Sequence, residues 1–383
     1  MIKEILDYFN PVDYLGIWLT ITFVLAFIVS FLSFPTILFV AHEKHLMDEP
    51  GERSMHSTKI PTLGGIGIFL SIVVVITTIG ALLDTKILLL LLGGLTLLFF
   101  LGLKDDLLIL SPKKKFVGQL IAAGLLMIFT DTRISSLHGL LDIYILPYWV
   151  SVIFTLFVYL LIINAFNLID GIDGLAGSLG LFASAMFAIV FISAKDVSMA
   201  TISIALIGAL VPFLRLNFSR NHKIFMGDTG SMLVGFLIAF FAVRFIGSSQ
   251  SMDYSQYYKS APILALSFVF FPLLDTLRIF LFRMFILKKS PFEADNNHLH
   301  HKFLQLGFSH IQTTGWVVAI NGVLVMITYW CSDWDIHVQL FTLIASGVAL
   351  YSIFFIYNWI KRVKLNSKIS QIALRVSEQL NIF

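Results

Sequence analysis

Apolar residues in this chain do not alternate with polar ones; they run. Stretches close to the roughly 20 residues that cross a bilayer as a helix recur at approximately 14–40, 63–83, 86–103, 116–130, 148–166, 172–193, 200–214, 231–247, 261–287, 314–331 and 338–360. The sequence lacks the period-two alternation of a transmembrane barrel. The pattern therefore predicts an all-α polytopic membrane protein with about eleven transmembrane helices, forming one membrane domain over 1–360. Beyond it, Leu365, Ile369, Ile372, Val376 and Leu380 recur at steps of three and four, which predicts an amphipathic tail helix over 361–383. Such a tail lies on the inner leaflet or packs on another subunit, so a homodimer is one reading of it.

Composition agrees with the pattern. Hydrophobic residues make up 58% of the chain and charged ones 13%, which overrides the two or three soluble domains that 383 residues would otherwise suggest. The opening "MIKEILDYFNPVD" has no basic leader before a short apolar core, so the first span reads as anchor and insertion signal together. A single cysteine, Cys331, excludes an intrachain disulfide, a cysteine-based metal cluster and a dithiol redox role. A net charge of only +3, with no basic domain interleaved with aromatics, argues against nucleic acid as a partner.

Charge placement orients the chain. Eighteen of the Lys and Arg residues fall in the tail and on one set of connections, against six on the other. The positive-inside rule puts the first set in the cytoplasm, with the N-terminus outside and the C-terminus inside. Nearly every dense cluster of Asp, Asn, His and Gly then lies on the cytoplasmic face, where a binding or active site is expected.

The clusters differ in what they can do. "NAFNLIDGIDGLAG" follows an apolar run directly, with Asn164, Asn167, Asp170 and Asp173 three residues apart. Carboxylates there are costly and mark function. Gly171, Gly174 and Gly177 suggest that the span ends near Asp170 and that a turn folds Asp173 back toward the Asn pair. Asp173 could alternatively cap the next helix, which would account for one of the four residues. "GLKDDL" sets Asp105 beside Asp106, and adjacent carboxylates raise one pKa or recruit a cation. Lys104 could simply neutralise one of them.

In "MGDTGS", Asp228 stands between glycines at a helix start. Either Thr229 or Ser231 caps that helix, or Asp228 holds a metal while backbone N–H groups face phosphate. The stretch is not a Walker A loop. "NNHLHH" carries His298, His300 and His301, which suit a grip on phosphate better than zinc. "GERSMHSTKIPTLGG" adds Arg53, His56 and Lys59, a solvated loop or a cationic rim for an anionic ligand. Asp275 and Arg278 stand three apart inside the ninth apolar segment, as a functional pair or a structural bridge.

These five motifs, which run along the chain from about residue 45 to 305 as "GERSMHSTKIPTLGG", "GLKDDL", "NAFNLIDGIDGLAG", "MGDTGS" and "NNHLHH", resemble the polyprenyl-phosphate N-acetylhexosamine-1-phosphate transferases, relatives of the phospho-N-acetylmuramoyl-pentapeptide transferases. The resemblance implies transfer of a sugar-1-phosphate, GlcNAc-1-phosphate above all, from a UDP-N-acetylhexosamine to undecaprenyl phosphate with release of UMP. It further implies Mg²⁺, with Mn²⁺ as a substitute, at the inner (plasma) membrane of a bacterium. Carried over by motif, Asn167 and Asp228 bind the metal, and Asp105 or Asp106 serves the lipid phosphate. Asp170 and Asp173 hold the nucleotide, the three His grip phosphates or the sugar, and Asn164, Arg53 and Lys59 join them as substrate-binding residues. The muramoyl-pentapeptide branch is the nearer alternative, and its usual three consecutive His are absent here. A polytopic transporter is the other, although it would favour charges at mid-span.

Overall fold

The computed structural model describes residues 11, 13–47, 60–108, 110–249, 251–257, 259–288, 298–354 and 356. Thirteen α-helices matter to the architecture: α1 (Leu15–Glu43), α2 (Gly64–Thr78), α3 (Thr85–Leu108), α4 (Pro112–Thr130), α5 (Tyr148–Ile169), α6 (Leu175–Ser193), α7 (Val197–Asn217), α8 (Gly227–Ser248), α9 (Ala261–Phe268), α10 (Phe270–Leu281), α11 (Leu299–Gln305), α12 (His310–Trp330) and α13 (Ile336–Phe354). The described residues contain no strand. Helices are the expected outcome, because hydrocarbon offers no partner to an unpaired backbone group.

Among the described residues nine helices are long and apolar enough to cross a membrane, and the bent α9–α10 pair makes up to ten. The remaining expected span, α4, is a 19-residue helix that begins with Lys113, Lys114 and Lys115 and falls outside that set. The expected tail helix lies outside the described residues.

α8 is the pole of the bundle. Of its 18-residue apolar window 83% is buried, against 17% for α1 at the periphery. α2, α3, α5 and α6 pack around it. Small residues allow this approach. A Cβ on Gly65 would fall 2.3 Å from Gly230 N, and one on Gly102 would fall 2.4 Å from Thr229 Cα. α2 and α3 thus meet the first turn of α8 backbone to backbone.

The ninth expected span is not straight. It breaks at Val269, and α9 meets the continuation Phe270–Leu287 at 80°. Pro272 has no N–H to give Phe268 O, and the bend separates Phe271 from Ser267. Buried Asn321 of α12 repairs both losses: its Oδ1 accepts from Phe271 N–H at 3.2 Å, and its Nδ2 lies 3.4 Å from both Ser267 O and Phe268 O. Broken helices at membrane depth need such substitute partners.

Candidate active site

The N-terminal ends of α2, α4, α6 and α8 and the C-terminal ends of α3, α5 and α7 share one end of the bundle, and the polar motifs gather there. The turn before α8 is built first. Phe225 N–H donates to Pro61 O at 2.8 Å, Gly64 N–H to Phe225 O at 2.9 Å and Gly65 N–H to Met226 O at 3.0 Å. The "PTLGG" stretch therefore zips along 225–226. Gly227 follows with φ +71°, and a Cβ there would lie 2.2 Å from Thr62 O, so only glycine fits.

Asp106 completes that turn. Its carboxylate accepts from Asp228 N–H at 2.7 Å, Thr229 N–H at 3.0 Å and Thr229 Oγ1 at 2.5 Å. The N-terminus of α8 is thus capped from α3. The expectation that Thr229 or Ser231 caps it fails, because both lie within the helix, and Ser231 Oγ donates to Gly227 O instead.

Asp105 takes the opposite direction. It is buried and accepts Leu110 N–H at 2.5 Å, and its Oδ2 meets the Lys115 ammonium. Lys115 Nζ also lies 3.1 Å from Asp228 Oδ2. Asp228 Oδ1 receives Asn167 Nδ2, which reaches Ser231 Oγ at 2.9 Å as well. Four helices thereby bring two carboxylates, an amide and one ammonium together. Lys115 is the residue sequence reasoning missed: it was only one member of a lysine run, and only the fold shows that Lys113 and Lys114 are exposed while Lys115 turns inward.

The other expected residues divide. Asn164 Nδ2 donates to Gln119 Oε1 at 2.9 Å and to Leu160 O at 2.7 Å, tying α5 to α4. Asp170 ends α5 and receives the Gly227 N–H. Desolvation, followed by the negative charges of Asp228, Asp106 and Asp173, holds its pKa well above the usual carboxylate range.

Asp173 does not fold back onto the Asn pair, nor does it cap α6, whose N-cap is Gly174 at φ +73°. Its Oδ2 instead meets Lys223 Nζ at 2.5 Å and His310 Nδ1 at 2.9 Å. Burial opposes its ionisation, yet His310 and Lys223 together bring its pKa below the ordinary value. Lys223 and His310 were also missed, because they lie 50 and 137 residues away.

His298 is buried against Asp275, 3.3 Å from Oδ2, and so is held inside the protein rather than offered to an open cleft. His300 and His301 follow on α11, with side chains outside the described residues. Arg53, His56 and Lys59 also lie outside them.

The donor set at the acidic cluster suits a hard cation. Asp105, Asp228 and the Asn167 amide offer oxygen ligands, and the Lys115 ammonium already stands where the two carboxylate charges converge. Among the described residues no group of three or more His, Cys, Asp or Glu is arranged around a common metal position. The two carboxylates and the amide are the kind of oxygen set from which Mg²⁺ takes one or two carboxylates, completing its shell with water and phosphate oxygens.

Comparison with known proteins gives the class. The family model described as Glycosyl transferase family 4 matches residues 88–246, which hold both the α3 acid pair and the α8 turn. The chain is 30% identical over 341 residues to the undecaprenyl-phosphate alpha-N-acetylglucosaminyl 1-phosphate transferase of Escherichia coli O157:H7, covering 85% of this chain and 89% of that one. It is 30% identical over 332 residues to the probable undecaprenyl-phosphate N-acetylglucosaminyl 1-phosphate transferase of Bacillus subtilis, covering 82% and 87%. It is 33% identical over 308 residues to the decaprenyl-phosphate N-acetylglucosaminephosphotransferase of Mycobacterium tuberculosis, covering 74% and 75%. The chain belongs to glycosyl transferase family 4.

Proposed function

We propose that this protein transfers GlcNAc-1-phosphate from UDP-GlcNAc to undecaprenyl phosphate, at the cytoplasmic face of a bacterial plasma membrane. It does so with eleven spans, the N-terminus outside and the C-terminus inside. In the reaction a lipid phosphate oxygen attacks the β-phosphorus of the donor, and the bond from that phosphorus to the bridging oxygen breaks. UMP leaves with that oxygen, and the lipid carries a pyrophosphate-linked sugar. The observation that carries the reading is the meeting of Asp105, Lys115, Asn167 and Asp228 from four helices at one membrane end. The relatives, named as N-acetylglucosaminyl 1-phosphate transferases of undecaprenyl or decaprenyl phosphate, support the acceptor and the transferred group.

Phosphoryl transfer is mostly positioning and charge neutralisation, which divides the work. Asp228 and Asn167 would hold Mg²⁺. When bound there, the ion supplies charge neutralisation to the pyrophosphate. Asp105, linked to Asp228 through Lys115, serves the acceptor phosphate, while Asp106 keeps the α8 turn in place. Lys115 turns its ammonium to phosphate oxygens once substrate arrives. Asp170 and Asp173 line the nucleotide side, with Lys223 supplying positive charge there and His310 holding Asp173 in place.

Purified protein given undecaprenyl phosphate, Mg²⁺ and one donor at a time tests this by UMP release. Turnover is expected with UDP-GlcNAc or a close UDP-N-acetylhexosamine. Turnover with UDP-N-acetylmuramoyl-pentapeptide alone would move the protein to the other branch.

A further inference from the structure

Asp275 takes no part in the cluster above, yet it is a fully buried carboxylate in an apolar helix. Such a group is costly unless its oxygens are engaged. Its Oδ1 accepts the Leu299 N–H at 2.6 Å, and its Oδ2 lies 3.3 Å from His298 Nδ1. The two contacts converge on one place, the entry to α11. His298 is the extended residue before that helix, at φ −67° and ψ 152°, and only 4% exposed.

At the other end of the segment, Ser309 opens α12 with a reciprocal capping box, and His310 rests on Asp173. Thr314 Oγ1 adds a bond to Asp173 O at 3.0 Å. The short helix that carries His300 and His301 is thus strung between two acids, one in the nucleotide-side turn and one in the broken span. Lys302, one turn after His298, lies within the electrostatic reach of Asp275 and Arg278.

Starting a seven-residue helix does not require this arrangement. A Ser or Asn at the N-cap would satisfy the first N–H groups locally, without burying a charge. The acid here comes from another helix, and it takes the histidine ring as well as the backbone. A carboxylate on Nδ1 fixes the tautomer and the orientation of an imidazole.

We propose that Asp275 is a positioning residue for the transferase reaction. By holding Leu299 and the His298 ring, it fixes the entry to α11, the helix that the His310–Asp173 contact ties to the nucleotide side at its other end. His298 is then the anchor of the motif. This rests on the reading under Proposed function.

The test uses full-length protein in detergent. Asp275→Ala should lower kcat about 10- to 100-fold, the scale for losing a group that orients a ligating histidine. KM for UDP-GlcNAc should change little. His298→Asn, whose amide can still donate to Asp275, should retain most activity, whereas His298→Ala should match Asp275→Ala. The double variant should be no worse than either single alanine, since both remove one unit.

Hydrogen exchange gives a readout independent of turnover: amides of α11 should exchange about tenfold faster in Asp275→Ala while α8 is unchanged. If Asp275→Ala does not fold, Asp275→Asn answers the same question, because its amide N–H₂ faces the His298 ring while its oxygen still accepts from Leu299. Unchanged kcat, multiplicative single effects, or unaltered exchange in α11 would overturn the proposal. A wild-type protein inactive with every donor would overturn the functional reading instead, and exchange would still decide whether Asp275 holds α11.

Discussion

Replacing Lys115 with methionine keeps the length of the side chain and removes the ammonium that touches both Asp105 and Asp228. At the 3.1 Å separating Nζ from Asp228 Oδ2, two unit charges attract by about 5 kcal/mol at an effective dielectric of roughly 20, and by about 1.3 kcal/mol in bulk water. The two side chains are 25% and 28% exposed, so solvent screens the pair and about 2 kcal/mol is the working figure. On the proposed metal role of Asp228, a divalent cation entering the substrate-free site displaces that ammonium. Without it, cation affinity should rise by roughly 30-fold, the equivalent of about 2 kcal/mol.

Turnover should move the other way. On the proposed role of Lys115 a donor to the transferring phosphate is lost, which costs on the order of 100-fold in kcat. Titration of substrate-free protein with Mn²⁺, read by electron paramagnetic resonance, measures the first effect, and UMP release at saturating Mg²⁺ measures the second. Unchanged or weaker Mn²⁺ binding in Lys115→Met would mean that the ammonium does not stand in the cation's place.

Asp228→Asn should leave the protein folded and cost about 3–4 kcal/mol of transition-state stabilisation; retention of more than half the activity at limiting Mg²⁺ would contradict the metal role. Asp106→Ala removes three bonds at the α8 turn, so thermal unfolding should show a loss of about 1–2 kcal/mol, the scale of a lost helix cap, and nucleotide affinity measured by calorimetry should survive. The Asp173 carboxylate titrates below its ordinary value in the folded protein, so its contribution is present above an unfolded pKa of about 3.9 and is lost as pH falls through the lower folded value. Melting temperatures between pH 5 and 3 should therefore fall more steeply for wild type than for Asp173→Asn, and parallel curves would remove Lys223 and His310 as its partners.

Much of this was legible in the chain because the bilayer is a severe solvent. Long apolar runs have few alternatives to helices, and a polar residue at a span end is conspicuous against them. Asp105, Asn167 and Asp228 could be named for that reason. What stayed hidden depends on direction rather than identity. Asp105 and Asp106 are chemically equal neighbours, and only the turn of α3 sends one to Lys115 and the other to the cap of α8. Asp173 was expected to face the Asn pair, but its partners arrive from residues 223 and 310, and no local pattern encodes such distant pairings. The break in the ninth span was invisible for a similar reason. Pro272 hinted at it, but the residue that makes the bend tolerable is Asn321, on another helix.

That repair bears on the order in which the molecule can be assembled. During synthesis α9 and α10 leave the ribosome well before α12, with their carbonyl and amide groups at the break still lacking Asn321. α9 has only eight residues, far short of a bilayer's thickness, so the bent pair cannot settle in lipid unaided. Until α12 arrives, the segment has either to remain straight across the membrane or to wait at its surface. Chains truncated between residues 290 and 309 should accordingly be cleared by membrane proteases, although they contain the whole acidic cluster. Chains ending just beyond α12 should persist. Settling of the bent pair would then be timed by α12, whose contacts at the site end include those of His310 and Thr314 with Asp173.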